Sequence, residues 1–167
     1  MEIFNVKLQI AASVDCVMGA YWSLKDWPRV APHVQAIQMH YADDAVQVLT
    51  MTVVSRQRVD AFKTVRIRKA KAIHFFQPDP PPILLHHTGC WQFEPDGQAT
   101  LVTIEHAIEV NLPAAKAFLG ISAAATTDHN SINAAIRELI CNNSLQTMRG
   151  LKNKLETEKE HQYALAN

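Results

Sequence analysis

The stretch ILLHHTGCWQFEPDGQATLVTIEHAIEV, residues 83–110, contains the pattern from which the fold can be built. Proline, aspartate and glycine within residues 95–98 predict a tight turn between two long strands. Successive side chains of a strand point to opposite faces. The apolar faces carry Ile83, Leu85, His87, Gly89, Trp91 and Phe93 in the first strand, and Val102, Ile104, His106, Ile108 and Val110 in the second. The pattern predicts an antiparallel hairpin that buries one histidine from each strand, with Gly89 leaving space beside His87.

Comparable strand patterns precede this hairpin. Five more strands are predicted from alternating or β-branched segments at residues 3–10, 34–41, 46–54, 56–69 and 72–77. A helix is expected between the first two of them, because Ser13 is a good N-cap and Trp27-Pro28 ends the helical pattern. The proline run at residues 80–82 predicts a stiff extended link into the hairpin.

The chain after Pro113 is expected to be mostly helical, and its last helix has an apolar stripe. Residues at helical spacing along that stripe are Ile136, Ile140, Ser144, Thr147, Met148, Leu151 and Leu155. Helix, strands and then helix is the order of an α+β domain. We therefore expect one domain over residues 1–167, with a curved antiparallel sheet wrapped around the long C-terminal helix.

Polar side chains within an apolar lining are typical of a ligand pocket. His87, His106, Ser144 and Thr147 fit that description, so a small-molecule cavity is expected between the sheet and the helix. A simpler interpretation stays open for each of them. A buried histidine is more often a hydrogen-bonded core residue, and serine or threonine in a helix can bond back to the preceding turn.

Composition argues against several classes of function. Of 167 residues, 48% are hydrophobic and 19% charged, and 16 basic side chains balance 16 acidic ones, so no nucleic-acid partner is expected. No stretch is long and apolar enough for a membrane span, and residues 1–10 do not resemble a signal peptide, which predicts a cytoplasmic protein with no membrane partner. Cys16, Cys90 and Cys141 are odd in number and widely spaced, as is typical of free thiols in a reducing compartment.

Several short motifs resemble the aromatase/cyclase branch of the START-like, Bet v 1-like (SRPBCC) superfamily, which includes bacterial aromatic polyketide cyclases. They are Trp27-Pro28, the proline run followed by GCWQFE (residues 89–94), TIEH (residues 103–106), and NNS (residues 142–144) with Met148 after it. The resemblance covers residues 3–110 and 140–155. It implies the helix-grip fold, in which a seven-stranded antiparallel sheet curls around the C-terminal helix.

The resemblance also implies a function, that of a polyketide aromatase/cyclase. In such proteins the pocket between helix and sheet folds a poly-β-ketone chain and directs its regiospecific aldol ring closure, and dehydration follows. For this chain the resemblance implies no cofactor and no metal. The expected partner is the polyketide substrate, free or presented by an acyl carrier protein, and both a monomer and a homodimer stay open.

Site residues carried over from the family include three catalytic candidates. FKTVR, residues 62–66, resembles an aromatic-x-Ser-x-Arg pattern on the long fourth strand, with Phe in place of Trp and Thr in place of Ser. The resemblance makes Arg66 the candidate that stabilises an enolate oxygen. His106 takes the place of a polar residue on the seventh strand and is the candidate for proton transfer, which His87 could share. Substrate contacts are expected from Trp27, His33, Val34, Phe62, Thr64, Trp91, Ile104, Ser144, Thr147 and Met148.

The comparison with the family pattern raises two questions about this chain. The facing of Arg66 stays open, because the strand face with Val59, Ala61, Val65 and Ile67 is more apolar than the face with Asp60, Phe62, Thr64 and Arg66. Residues 112–135 are longer than the family usually has at this point. Gly120, the alanines at 123–125 and residues 126–131 predict an extra helical piece with a loop, which either covers the cavity mouth or packs on the surface.

Two other functions use the same residues. A non-catalytic carrier or sensor of an apolar molecule would have the same fold, since fold does not fix function. An inward Arg66 would favour the enzyme over the carrier. A metal-dependent hydrolase is least favoured, because HxxH and HExxH are absent and the two inward histidines lie on different strands.

Overall fold

The computed structural model of the protein describes residues 1–123, 126 and 128–165. Its elements, in chain order, are β1 (Glu2–Ile10), α1 (Val14–Ser23), α2 (Trp27–Val30), β2 (Val34–Ala42), β3 (Val46–Ser55), β4 (Arg58–Lys69), β5 (Ala72–Asp79), β6 (Leu84–Asp96), β7 (Ala99–Val110), α3 (Leu112–Leu119) and α4 (His129–Leu165). The seven strands of these described residues form one antiparallel sheet in the order β1-β7-β6-β5-β4-β3-β2. The predicted α+β architecture is confirmed.

Local sequence explains where the first helices begin and end. Helix α1 begins after Ser13, whose Oγ accepts a hydrogen bond from the backbone N–H of Cys16 at 3.4 Å. It ends at Leu24, which has a left-handed backbone with a φ of 58°. Pro28 lies in the first turn of α2, where the missing N–H leaves no hydrogen bond unmade.

The apolar stripe of α4 packs against the sheet and completes the core. Ile136, Met148 and Leu151 on this stripe are fully buried. Ser144 and Thr147 are buried with them, so the predicted stripe is confirmed together with its two hydroxyls. Although α4 is 37 residues long, neither it nor any other helix of the described residues is long and apolar enough to span a membrane.

The start of β6 differs from the predicted alternation. Leu85 is 59% exposed, whereas Leu84 is buried, so the prediction that Leu85 lies on the buried face is wrong. The pairing of β6 with β7 contains a register shift between Leu84 and His86, and such a bulge moves the residues before it to the other face. After the bulge His87 and Trp91 are buried as predicted.

Strand β4 turns its more polar face inward. Phe62, Thr64 and Arg66 are buried, while Val59 on the other face is 60% exposed. Arg66 pairs with Gln47 of β3, which is also buried. The open question about Arg66 is therefore answered in favour of the inward position, at a place where the inner surface itself is polar.

Residues 112–135 contain α3, a connection and the first part of α4. Asn111 caps α3 through its side-chain oxygen, and Gly120 ends it with a left-handed φ of 73°. Phe118 of α3 packs in one apolar cluster with Ile132 and Ile136 of α4. Of the helical piece and loop predicted from Gly120 and residues 123–131, residues 129–131 lie in α4, and residues 124, 125 and 127 lie outside the described residues. That this segment is long for the family stays a prediction.

Candidate active site

Two small cavities lie between the sheet and the helices. The serine chamber, with a volume of about 130 Å³, has in its wall Ser144, Asn143, Ile140 and Phe118. The arginine chamber, with a volume of about 110 Å³, has in its wall Arg66, Thr64, Trp27 and Trp91. The residues that belong to both walls are Phe62, Gln77, His87 and His106. The two predicted histidines therefore lie where the chambers meet.

A chain of side-chain hydrogen bonds crosses this boundary. Gln77 Oε1 on β5 lies 3.0 Å from His87 Nδ1 on β6. His87 Nε2 lies 2.9 Å from His106 Nδ1 on β7. His106 Nε2 in turn lies 2.9 Å from Ser144 Oγ on α4. Four elements thus each contribute one member to a continuous chain, called the relay chain below.

The packing around the relay chain depends on Gly89. It pairs with His106 on one side and with Phe75 on the other. A Cβ at this position would lie 2.5 Å from Phe75 Cζ and 2.4 Å from the carbonyl oxygen of Glu105. Because Gly89 has none, the Phe75 ring packs edge-on against both imidazoles, at centroid distances of 5.3 and 6.0 Å. The space predicted beside His87 is therefore filled by Phe75.

Burial keeps both imidazoles of the relay chain neutral. It lowers the pKa of His87 well below the ordinary value, and repulsion from His106 and His86 lowers it further. Burial also lowers the pKa of His106, to about 4. At neutral pH each ring therefore has one N–H donor and one nitrogen lone pair, so that each can accept a proton and donate one.

Arg66 is held by the C-terminal end of α1. Its Nη2 donates to the carbonyl oxygen of Tyr21 at 2.6 Å, and its Nη1 donates to the carbonyl oxygen of Trp22 at 3.2 Å and to Gln47 Oε1 at 2.6 Å. Its guanidinium also stacks on the rings of Trp22 and Trp27, at 5.3 and 5.7 Å. Burial lowers the pKa of Arg66 to about 9, so it stays charged at neutral pH. A cation at this end of a helix is favoured by the helix dipole.

Two other polar groups of the arginine chamber have no hydrogen-bond partner in the described part of the chain. Trp27 Nε1 and Thr64 Oγ1 are buried without a hydrogen bond to any described residue. A buried polar atom that is left unpaired costs free energy, which a ligand oxygen in the chamber would recover. The arginine chamber therefore offers one cation and two neutral groups to a polar atom of a ligand.

The sequence matches the family model described as "Polyketide cyclase / dehydrase and lipid transport" over residues 10–133. The chain belongs to this family. Among curated proteins, no sequence relative matches. The family description names both catalysis and transport, so membership alone leaves the choice between them to the chemistry of the site.

Solved structures show that the chain has the helix-grip fold of Bet v 1-like and START proteins. The di-domain ARO/CYC StfQ from the steffimycin biosynthetic pathway matches with a TM-score of 0.81 at 22% identity, over 95% of this chain and 52% of StfQ. The Zhui aromatase/cyclase from a Streptomyces species matches at 0.77 and 15%, over 93% of each chain. A START superfamily protein from Mycobacterium smegmatis matches at 0.70 and 12%, over 92% of this chain and 98% of that one. The chain spans about half the length of StfQ, and the likeness confirms the predicted fold.

The residues expected from the family resemblance divide into two groups. Of the expected substrate contacts, those in a chamber wall are Trp27, Phe62, Thr64, Trp91 and Ser144. In the described part of the chain, the other five expected contacts line neither chamber; they are His33, Val34, Ile104, Thr147 and Met148. His33 Nδ1 lies 3.3 Å from Gln146 Oε1, and Thr147 Oγ1 donates to the carbonyl oxygen of Asn143 at 3.2 Å. The roles of all these residues stay predictions.

Sequence reasoning missed Gln77, which starts the relay chain, and Gln47, which accepts from Arg66. For each glutamine, the alternation of its strand indicated an inward position. In β5 the alternation that places Ile73 and Phe75 on one face also places Gln77 there. Gln47 lies directly before the apolar strand residues 48 and 49 on β3 and faces the same side as Leu49. A search of the inward strand faces for amide side chains as well as histidines identifies both glutamines.

Proposed function

We propose that this family member catalyses acid–base chemistry of the aromatase/cyclase type, in which a poly-β-ketone closes a ring by aldol addition and then loses water. The observation that carries the proposal is the relay chain at the boundary of the two chambers. An aldol addition removes a proton from carbon and adds one to oxygen, so it needs a base and an acid in one cavity. The neutral imidazoles of His87 and His106 provide both.

The arginine chamber supports the same chemistry. Ring closure places negative charge on an enolate oxygen, which preorganised donors stabilise. Arg66 provides a positive charge and the N–H groups that its bonds to α1 and Gln47 leave over. Trp27 Nε1 and Thr64 Oγ1 are buried and form no hydrogen bond with the residues that the structure describes, and so they are available to donate. We assign oxygen binding to these three residues and proton transfer to the two histidines.

The volumes of the chambers limit what can bind at one time. Each is close to that of an engineered cavity of about 150 Å³ that binds benzene. Each chamber, at about 130 and 110 Å³, therefore accommodates one six-membered ring or an equally compact piece of chain. In this proposal the ketone chain lies folded across both chambers, with its ring-forming carbons beside His87 and His106. Delivery by an acyl carrier protein and a cytoplasmic location belong to the same proposal.

A non-catalytic carrier is the second candidate, because the family description includes lipid transport. A carrier would need the apolar walls, but it would not need proton-transfer groups at their junction. The inward position of Arg66 was expected to favour the enzyme. Since most of its bonds go to α1, the relay chain distinguishes the two candidates better than Arg66 does.

The test is a product profile. A minimal polyketide synthase that makes a nonreduced chain is run alone, with the wild-type protein, and with His106→Gln. We expect the wild type to redirect shunt products to one aromatic ring pattern. His106→Gln should reduce that product about 100-fold or more, in line with the usual loss of an acid–base group. The matched control is His74→Gln, which changes an exposed histidine on β5 and should leave the profile unchanged.

Two outcomes contradict the cyclase. If the profile with the wild type equals that of the synthase alone, the protein does not act on such chains. If the wild type redirects products and His106→Gln does so equally well, the cavity only folds the substrate and the histidines are not its acid and base.

A further inference from the structure

The relay chain can hold its protons in two ways. With Gln77 Oε1 facing His87, the Nδ1–H of His87 donates to it, and His87 Nε2 is left as an acceptor. His106 Nδ1–H then donates to His87 Nε2, and His106 Nε2 accepts from the hydroxyl of Ser144. In this state all donors point from Ser144 towards Gln77, and every nitrogen of both rings has a partner.

The opposite polarity satisfies the same atoms. If the amide of Gln77 turns over, its nitrogen donates to His87 Nδ1, and the proton of that ring moves to Nε2. His87 then donates to His106 Nδ1, and His106 Nε2–H donates to Ser144 Oγ. Neither state needs a charged imidazole. This matches the burial of both rings, which lowers the pKa of each.

Among side chains of this size, an amide is unusual in supporting both states. A carboxylate at position 77 would only accept, and would hold the proton of His87 on Nδ1. An apolar side chain would neither accept nor donate. Because Gln77 is in both chamber walls, a ligand can also approach this end of the chain.

We propose that Gln77, His87, His106 and Ser144 form a neutral proton relay, and that Gln77 is the positioning residue whose amide supports both directions of transfer. Its use in catalysis rests on the proposed function, whereas the coupling of its protons does not.

The transfer conserves protons and charge. Ser144 Oγ accepts a proton from an acidic C–H of the bound ligand while its own proton passes to His106 Nε2. The proton on His106 Nδ1 passes to His87 Nε2, and the proton on His87 Nδ1 goes to a ligand oxygen that replaces Gln77 Oε1 as acceptor. One proton enters and one leaves, both imidazoles have changed tautomer, and the opposite transfer restores them. An aldol addition makes the same exchange, since a carbon loses a proton and an oxygen gains one.

The test reads the tautomers directly in the ligand-free chain. Long-range ¹H–¹⁵N spectra of uniformly labelled protein distinguish Nδ1–H from Nε2–H for each histidine. We expect both tautomers at each ring in the wild type, because the amide of Gln77 supports either state. In Gln77→Glu, whose carboxylate only accepts, the ratio of Nδ1–H to Nε2–H should rise about five-fold at both His87 and His106, the factor that corresponds to one hydrogen bond of about 1 kcal/mol. Gln77→Lys, whose ammonium only donates, should lower that ratio at both rings, and serves if Gln77→Glu does not fold.

The decisive readout is His106, which bonds to His87 and Ser144 but not to Gln77. If its tautomer ratio in both Gln77 variants equals that of the wild type, the links are not coupled and the relay is overturned, even where His87 responds. Gln92→Glu, at an exposed glutamine of β6, is the control and should change neither ring. The tautomer test uses no substrate. A negative product profile would therefore contradict the cyclase without deciding whether the relay is coupled.

Discussion

Two buried polar clusters share the inner surface of this protein, and they differ in what holds them. Around Arg66, two of the three acceptors are backbone carbonyls, those of Tyr21 and Trp22. In the relay chain around His106 every partner is a side chain. The first cluster joins a strand to the end of a helix, and the second joins three strands to the middle of another helix.

The difference separates a cluster held by the backbone from one that can exchange protons. Two of the acceptors of Arg66 are carbonyl oxygens of α1, so that cluster is tied to the fold, and Arg66 stays charged at neutral pH. Side-chain donors and acceptors can exchange protons and rotate without moving the backbone, so the relay chain can change state within a rigid fold. We expect changes at Arg66 to act on stability as well as on the proposed binding of oxygen, and changes in the relay chain to act mainly on the proposed catalysis and on the response to pH.

The largest expected effect is a loss of stability in acid that comes from the histidines and not from Arg66. In the unfolded chain the pKa of a histidine is about 6.5. Burial lowers the pKa of both His87 and His106, so below that pH the unfolded chain binds protons that the folded chain does not. Their contribution is therefore complete above pH 6.5 and is lost as the pH falls towards 4. The slope is up to about 1.4 kcal/mol per pH unit for each histidine.

Urea unfolding between pH 4 and 7.5 measures this loss. The comparison is with a double variant, His87→Gln with His106→Gln, because burial also lowers the pKa of His33 and that contribution must be subtracted. The free energy of unfolding should fall more steeply with decreasing pH in the wild type than in the double variant. Equal slopes would mean that the two imidazoles become protonated inside the fold, against the neutral pair inferred here.

The next largest effect is expected at Arg66 itself. Arg66→Met removes a charge and leaves the carbonyl oxygens of Tyr21 and Trp22 buried without this donor, so we expect a loss of about 2–4 kcal/mol in the free energy of unfolding. Arg68→Met is the matched control, because Arg68 stacks on the same Trp22 ring at 5.9 Å but is exposed. It should cost no more than about 0.5 kcal/mol. Similar losses in the two variants would show that Arg66 does not anchor α1.

The sequence predicted on which strand or helix face each site residue lies better than it predicted which site residues contact each other. Alternation placed His87 and His106 inward, and helical spacing placed Ser144 opposite them. The sequence alone could not show that the two imidazoles are in contact. Alternation along one strand identifies the face on which a side chain lies, but not the register of that strand with its neighbour. In the structure His106 is paired with Gly89 and His87 with Ile108, so the two rings meet on the diagonal.

The failures at Leu85 and the open question at Arg66 have physical causes. A bulge beside Leu84 reverses the alternation at the start of β6. No residue type in that stretch predicts the bulge. At Arg66 hydrophobicity favoured the wrong face, since the inner surface of β4 meets the polar end of α1 instead of an apolar core. Only the resemblance to a family with an inward arginine indicated the right one.

The smallest expected effect separates two neighbouring hydroxyls of α4. Thr147 is buried, but its Oγ1 donates to the carbonyl oxygen of Asn143 one turn earlier, so it satisfies itself within the helix. Thr147→Val should cost about 1 kcal/mol or less in the free energy of unfolding and leave the product profile unchanged. Ser144→Ala leaves His106 Nε2 without this partner and should cost about 1–2 kcal/mol, and it should also reduce the ring product, because it removes the end of the relay chain. If Thr147→Val altered the profile and Ser144→Ala did not, the substrate contact expected at Thr147 would be real. The chemistry would then belong to a part of α4 outside both chambers, and the distinction between a fixed cluster and a reactive one would fail.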